Sequence, residues 1–205
     1  DYIILSKALG GGLAKISALL VRRDRYRDTF DLKQTSTFAG DDFSCALALR
    51  TLELITPELM EAARRQGDHL LLGLQELAAR HPGVIAGVRG KGLLAAVQFH
   101  PLTESSSFVL RFLGAQQDLG YVLTSHLLAR HRLRVAPTLS DRFTLRLEPP
   151  ALISDEDIGR TLDALEDVCQ LLANDDAMTL TRHFGHGPTR ASNNRSLRVS
   201  KRCSP

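Results

Sequence analysis

Short continuous apolar runs alternate along this chain with longer stretches whose apolar residues recur at helical spacing, and glycine or proline marks most of the changes. That alternation constrains the fold more than any other feature. An apolar run with no polar face belongs inside a sheet, and an amphipathic helix must bury its one apolar stripe against such a sheet. The expected class is therefore α/β or α+β, in two parts. Residues 2–6 read as a strand buried on both faces, ending at Lys7-Ala8-Leu9 and the triple glycine Gly10-Gly11-Gly12. Residues 16–22 read as a second strand and 24–30 as a short helix.

From Phe43 the period becomes helical, with Ala46, Leu47, Leu49, Leu52 and Leu54 as its apolar face. Thr56-Pro57-Glu58 restarts a helix: a hydroxyl cap, proline at the first helical position and an acid in the first turn. Leu59, Ala63, Leu70, Leu74 and Leu77 carry that helix to Arg80, where His81-Pro82-Gly83 stops it. Strands are expected at 84–88 and 93–99 around the turn Arg89-Gly90-Lys91-Gly92, and again at 133–136 and 143–147. One helix is expected over 108–130, weakened by Gly114 and Gly120. A last one starts at Ser154, where Asp157 completes a capping box, and buries Ile158, Leu162, Leu165, Val168 and Leu172.

The predicted organisation is 1–42 as the end of a larger sheet domain, 43–56 as a connecting helix, 57–175 as a small α+β domain and 176–205 as a basic disordered tail or linker. Because the chain enters a core strand directly at Asp1, it is expected to be a fragment whose beginning lies elsewhere.

Composition narrows the function classes. With 43% apolar and 24% charged residues, the chain has the make-up of an ordinary globular protein. Every apolar run is interrupted well before the ~18 residues that a membrane-spanning helix needs. The net charge of +3 arises in the tail, where Arg182, Arg190, Arg195, Arg198, Lys201 and Arg202 stand with no carboxylate, so residues 1–180 are mildly acidic. No basic helix stripe and no stacking aromatics accompany that charge, which argues against a nucleic-acid partner. Cys45, Cys169 and Cys203 are far apart and odd in number, arguing against a zinc or disulfide framework and for a reducing, cytoplasmic setting.

Lys7 is the first candidate for chemistry. An ammonium at the end of a core strand costs several kcal/mol unless it is paired or loses its proton, and a partly neutral amine can attack an aldehyde. The glycines after it would let the backbone pass close to a bulky group. The plainer reading is a surface lysine followed by a flexible loop. Neither glycine cluster fits a P-loop or a dinucleotide fingerprint. Ser36-Thr37, in a polar loop ahead of a helix, could hold phosphate oxygens or could simply form a turn and cap. Arg146 alternates with apolar neighbours on a short strand; it could clamp a carboxylate, or pair with Glu148 as a solvated strand residue.

In order, Ile3-Ile4-Leu5-Ser6-Lys7-Ala8-Leu9-Gly10-Gly11-Gly12, Ser36-Thr37-Phe38-Ala39-Gly40, Val88-Arg89-Gly90-Lys91-Gly92-Leu93-Leu94 and Leu145-Arg146-Leu147-Glu148-Pro149-Pro150 resemble four segments of the class III aminotransferases. These are pyridoxal-phosphate enzymes of fold type I that include ornithine and other omega-amino acid aminotransferases, and the resemblance covers about residues 1–172. It implies the end of a large mixed-sheet domain followed by a small α+β domain. It also implies that Lys7 is the Schiff-base lysine and acid/base, that Ser36 and Thr37 hold the cofactor phosphate across a homodimer interface, and that Arg146 binds the substrate carboxylate. Gly90 and Gly92 are structural on this view. The implied reaction moves an amino group from an amino acid or amine to a 2-oxo acid.

Two departures stand out. The family usually has Asn-Pro where this chain has Asp41-Asp42, and Pro where it has Leu13. The family's acid that pairs with the pyridine nitrogen, its ring-stacking aromatic and its first phosphate loop would all lie before Asp1, so the fragment alone is expected to be inactive. Two alternatives remain at this stage: an aminomutase or racemase using the same lysine, and a catalytically incomplete dimerisation or scaffold module.

Overall fold

The first apolar run forms strand β1 (Tyr2–Leu5), seen in a computed structural model that describes residues 1–30, 33 and 37–184. It pairs antiparallel with β2 (Ala18–Val21), from Tyr2 opposite Val21 to Leu5 opposite Ala18. The expectation of a strand buried on both faces fails here. Tyr2, Ile3 and Ile4 are 61%, 58% and 75% exposed, because among the described residues the sheet has only two strands. The expected helix at 24–30 is instead a pair of 3-10 turns, Arg23–Arg25 and Asp28–Phe30.

Helix α1 (Asp42–Leu54) starts where the Asp41 side chain accepts a hydrogen bond from the Ser44 N–H at 2.8 Å. Its buried residue is Ala48, whereas Leu49, Leu52 and Leu54, expected on an apolar core face, are about half exposed or more. Helix α2 (Pro57–Arg80) follows its predicted bounds, with the Leu59 N–H donating to Thr56 Oγ1. The chain divides into units Asp1–Ala63 and Arg64–Pro205, so the boundary falls inside α2 and not ahead of it as expected.

The second unit is built on a four-stranded antiparallel sheet in the order β3 (Ile85–Lys91), β4 (Leu94–Phe99), β6 (Thr144–Leu147), β5 (Ala136–Pro137). The β3–β4 turn sits at Gly92, the last residue of the expected turn, whose φ of 53° suits glycine; β3 runs on to Lys91, past its expected end at Val88. Ala95, Val97 and Phe99 of β4 with Leu145 and Leu147 of β6 supply the buried face of the sheet. Leu70, Leu74 and Leu77 of α2 join the same core, as do Leu110 of α3 (Phe108–Ala115), Leu123 and Leu127 of α4 (Leu119–His131), and Leu165 and Val168 of α5 (Asp155–Ala173).

The single helix expected over 108–130 is two helices. The break comes at Gln117, with φ 59°, and not at either glycine. Gly114 and Gly120 are close-approach positions where a Cβ would strike the carbonyl oxygens of Pro101 and Arg142. The Ser154–Asp157 capping box forms as read, the Asp157 N–H donating to Ser154 Oγ and that hydroxyl donating to the Asp157 carboxylate. The tail expectation is corrected in part. Asp176 caps α6 (Ala177–Thr181), whose Leu180 is fully buried, and a 3-10 turn continues to Phe184; residues 185–205 lie outside the described residues.

Where α2 ends, its polar groups are tied to α5 through Glu166. Arg80 donates to Oε2 through Nε and Nη2 at 3.2 and 2.8 Å, His81 Nε2 lies 2.6 Å from Oε1, and Gln170 donates at 3.0 Å. The Arg80 guanidinium, helped by His81 and Gln170 against partial burial, holds this carboxyl at about 2, well below its ordinary 4.5. A depressed carboxyl stabilises the fold fully above its unfolded value and loses that contribution as pH falls toward its folded one. Urea unfolding of the intact protein is therefore expected to lose about 1–2 kcal/mol between pH 4.5 and pH 2 that Glu166→Gln does not lose, after allowance for solvent screening.

Candidate active site

Lys7 opens a 3-10 turn, Lys7–Gly10, at the point where β1 ends. Ser6 before it is fully extended, and Lys7 itself has φ 52°. A left-handed backbone at a residue with a Cβ costs about 1–2 kcal/mol and is held only where the surroundings impose it. Here Gly11 and Gly12 continue the reversal with φ of 63° and 77°. The turn packs on α1, and a Cβ at Gly11 would come within 2.9 Å of Thr51 Oγ1. The strained position thus belongs to the lysine, although a glycine would fit it without strain.

The expected burial of Lys7 is not found within this chain. Its side chain is exposed, and among the described residues it makes neither a hydrogen bond nor an ion pair. What the fold supplies is a free primary amine at a strained strand end.

Thr37 stands exposed in the turn that runs to Gly40, while Ser36 lies outside the described residues. The cap of the following helix is Asp41, so neither hydroxyl is needed to start α1. Aspartate caps as well as asparagine does, which is why the departure from Asn-Pro leaves the helix start intact. It does add charge: hydrogen bonds from the Ser44 side chain and N–H hold the Asp41 carboxyl below its ordinary range, and Asp42 follows in the first turn.

Arg146 sits in the second unit on β6, on the face that does not meet the core. Its neighbours across the sheet are Ala96 and Ala136, too small to cover a guanidinium. Arg146 Nε lies 3.1 Å from Glu148 Oε2, with side chains 44% and 53% exposed, so the pairing with Glu148 weighed from the sequence is present. A cavity of about 330 Å³ is lined by Leu133, Leu147, Glu148, Ile153 and Arg160, and Arg146 is not part of its wall. Lys7 and Thr37 belong to the first unit and Arg146 to the second.

Cys169 is no rival nucleophile. It is fully buried, and that burial, with the Glu166 carboxylate nearby, pushes its thiol up to about 12. Sequence reasoning missed a further group, His126, His131 and Asp167 of the second unit, whose members show no motif spacing.

The fold and these positions can be set beside known proteins. The family model of the class III aminotransferases matches residues 1–169. A putrescine aminotransferase from Pectobacterium atrosepticum is 37% identical over 175 residues, which are 84% of this chain and 34% of that protein. Among solved structures, acetylornithine aminotransferase from Elizabethkingia anophelis aligns at a TM-score of 0.65 and 28% identity, over 83% of this chain and 39% of that one. Ornithine delta-aminotransferase from Plasmodium falciparum aligns at 0.68 and 25%, over 85% and 41%.

The chain belongs to the class III aminotransferases, whose members use pyridoxal phosphate, and its fold is that of part of a fold type I enzyme. It spans about a third of the length of the curated relative it matches.

Proposed function

We propose that the protein of which this chain is part transfers an amino group from an amine or amino acid to a 2-oxo acid, with Lys7 as its catalytic amine. The backbone at Lys7 carries this reading: a lysine held left-handed at a strand end, its amine free, ahead of two glycines in the same conformation. Leu102, Gln117, Arg132 and Asp175 share this backbone state, so what supports the reading at Lys7 is that state together with its exposed amine and the glycines that follow.

The residues present fit pyridoxal phosphate: a free primary amine to hold its aldehyde, and hydroxyls at Ser36 and Thr37 for its phosphate, in this reading that of the partner subunit in a homodimer. When bound, the cofactor supplies the electron sink that makes a proton on the substrate's amine-bearing carbon removable. Lys7 Nζ takes that proton and returns it. Arg146 holds the acid substrate's carboxylate. Its half-exposed pairing with Glu148 is worth about 0–1 kcal/mol, whereas charge-assisted bonds to a substrate carboxylate contribute about 1.5–3, so the substrate displaces Glu148.

The similarity to a putrescine aminotransferase makes a diamine the first donor to test. The expected result, with the intact protein, pyridoxal phosphate, putrescine and a 2-oxo acid, is a new amino acid bearing the donor's nitrogen. Isomerised amine without exchange would point to an aminomutase or racemase, and no reaction with any amine would point to a scaffold module. In the same assay Arg146→Ala is expected to raise KM for the 2-oxo acid about 10- to 100-fold and leave KM for putrescine unchanged, since the donor has no carboxylate. No described helix is long and apolar enough to cross a membrane. The buried free thiol of Cys169 supports placing the enzyme in the cytoplasm.

A further inference from the structure

In the second unit, His126 of α4, His131 at the end of α4 and Asp167 of α5 converge. His126 is fully buried, with its Nε2 3.3 Å from Asp167 Oδ2; His131 Nε2 lies 2.9 Å from the same oxygen. All three atoms lie within 4.8 Å of one another. The other nitrogen of His126, Nδ1, is 3.2 Å from the carbonyl oxygen of Leu180 in α6. A carbonyl only accepts, so Nδ1 carries the proton and donates it. In a neutral ring Nε2 then presents a lone pair, and it presents it to a carboxylate that also only accepts. A cation shared by the three atoms would bring both ring nitrogens and the carboxylate oxygen into one set of contacts.

Geometry favours the cation. Zinc bonds of about 2.0–2.1 Å in a tetrahedron place ligand atoms about 3.3–3.4 Å apart; the 3.3 Å contact from His126 to Asp167 has that spacing, and the 2.9 Å contact from His131 needs to open by only about 0.4 Å at a partly exposed side chain. Two imidazole nitrogens and one carboxylate form a donor set for zinc-class metals rather than for calcium or magnesium. The hydrogen bond from His126 Nδ1–H to a backbone carbonyl is the outer contact by which metal-binding histidines are oriented. The side chains of His131 and Asp167 are 29% and 44% exposed, which leaves a way in from solvent.

We propose that His126 Nε2, His131 Nε2 and Asp167 Oδ2 bind one divalent transition-metal cation of the zinc class, with water as fourth ligand. The bound ion ties the end of α4 to α5, and through Leu180 to α6. This site does not depend on the amino-transfer reading, and its readout is metal content.

The test uses the intact protein, stripped with chelator, dialysed against Zn²⁺ and passed through gel filtration. His131→Ala and Asp167→Ala, both at partly exposed positions, are each expected to retain one equivalent of zinc fewer per chain than wild type. His100→Ala, an exposed histidine outside the cluster, is expected to match wild type. Co²⁺ loaded into wild type should give the visible absorption of a four-coordinate ion, a measurement that stands even if a variant fails to fold. Zinc content unchanged in both cluster variants, or Co²⁺ showing only the spectrum of the hydrated ion, overturns the proposal and leaves the three side chains as a hydrogen-bonded cluster.

Discussion

Replacing Lys7 with alanine in the intact protein is expected to lower amino transfer by at least about 10³-fold, because the chain loses both the amine that holds the cofactor and the base that moves the proton. Lys7→Arg should lose as much. A guanidinium keeps the positive charge but does not shed its proton in the working pH range, so it can neither condense with an aldehyde nor accept a proton. Equal loss in the two variants would show that the neutral amine matters and the charge does not. Retained transfer in Lys7→Arg, measured as donor nitrogen appearing in the product amino acid, would sink the assignment.

The same position yields an opposite effect on stability. Lys7 holds φ 52° with a Cβ in place, so Lys7→Gly should raise unfolding free energy by up to about 1 kcal/mol while Lys7→Ala, which keeps the Cβ, should barely change it. A variant that grows more stable as it loses its activity is the signature of strain kept for function.

The second large effect is expected at Gly67, on the buried side of α2. A Cβ there would lie inside the van der Waals radii of the Gly92 carbonyl group and 2.6 Å from Gly92 Cα. The contact is with backbone, so no rotamer change relieves it; the β3–β4 turn must move off the helix. Gly67→Ala is therefore expected to destabilise by about 2–4 kcal/mol, despite alanine's better helix propensity. Gly159 of α5 is the control, since a Cβ added there meets nothing within 4 Å. Gly159→Ala should stabilise by about 0.5–1 kcal/mol. Urea unfolding of both variants decides the matter, and a Gly67→Ala protein as stable as wild type would mean that the turn is not seated as described.

How far the sequence could be read depended on the range of the interaction involved. The Ser154–Asp157 box and the Thr56 cap join groups within one helical turn, and both were legible. Asp41 was noticed as a departure, and only the structure showed that it caps α1. The sequence reads as one helix over 108–130 with Gly114 and Gly120 as weak points, but those glycines admit the carbonyls of Pro101 and Arg142, and the chain breaks at Gln117. The buried stripes of α2 and α5 were legible from their period, but burial was misjudged where no period marks it: β1 is exposed, and Leu180, placed in a tail, is in the core.

By itself the sequence determined the order of strands and helices, the turn that carries Lys7 and the strand that carries Arg146. Periodicity, caps and glycine turns are local, and each is written within a few consecutive residues. Only the tertiary structure decided that Lys7 is left-handed with an exposed side chain and that Arg146 faces away from the core beside Glu148. The gathering of His126, His131 and Asp167 was equally beyond reading, because the carboxylate lies 36 and 41 residues along the chain from the two rings. Contacts of that separation have no spacing rule; the packing of α4 against α5 creates them.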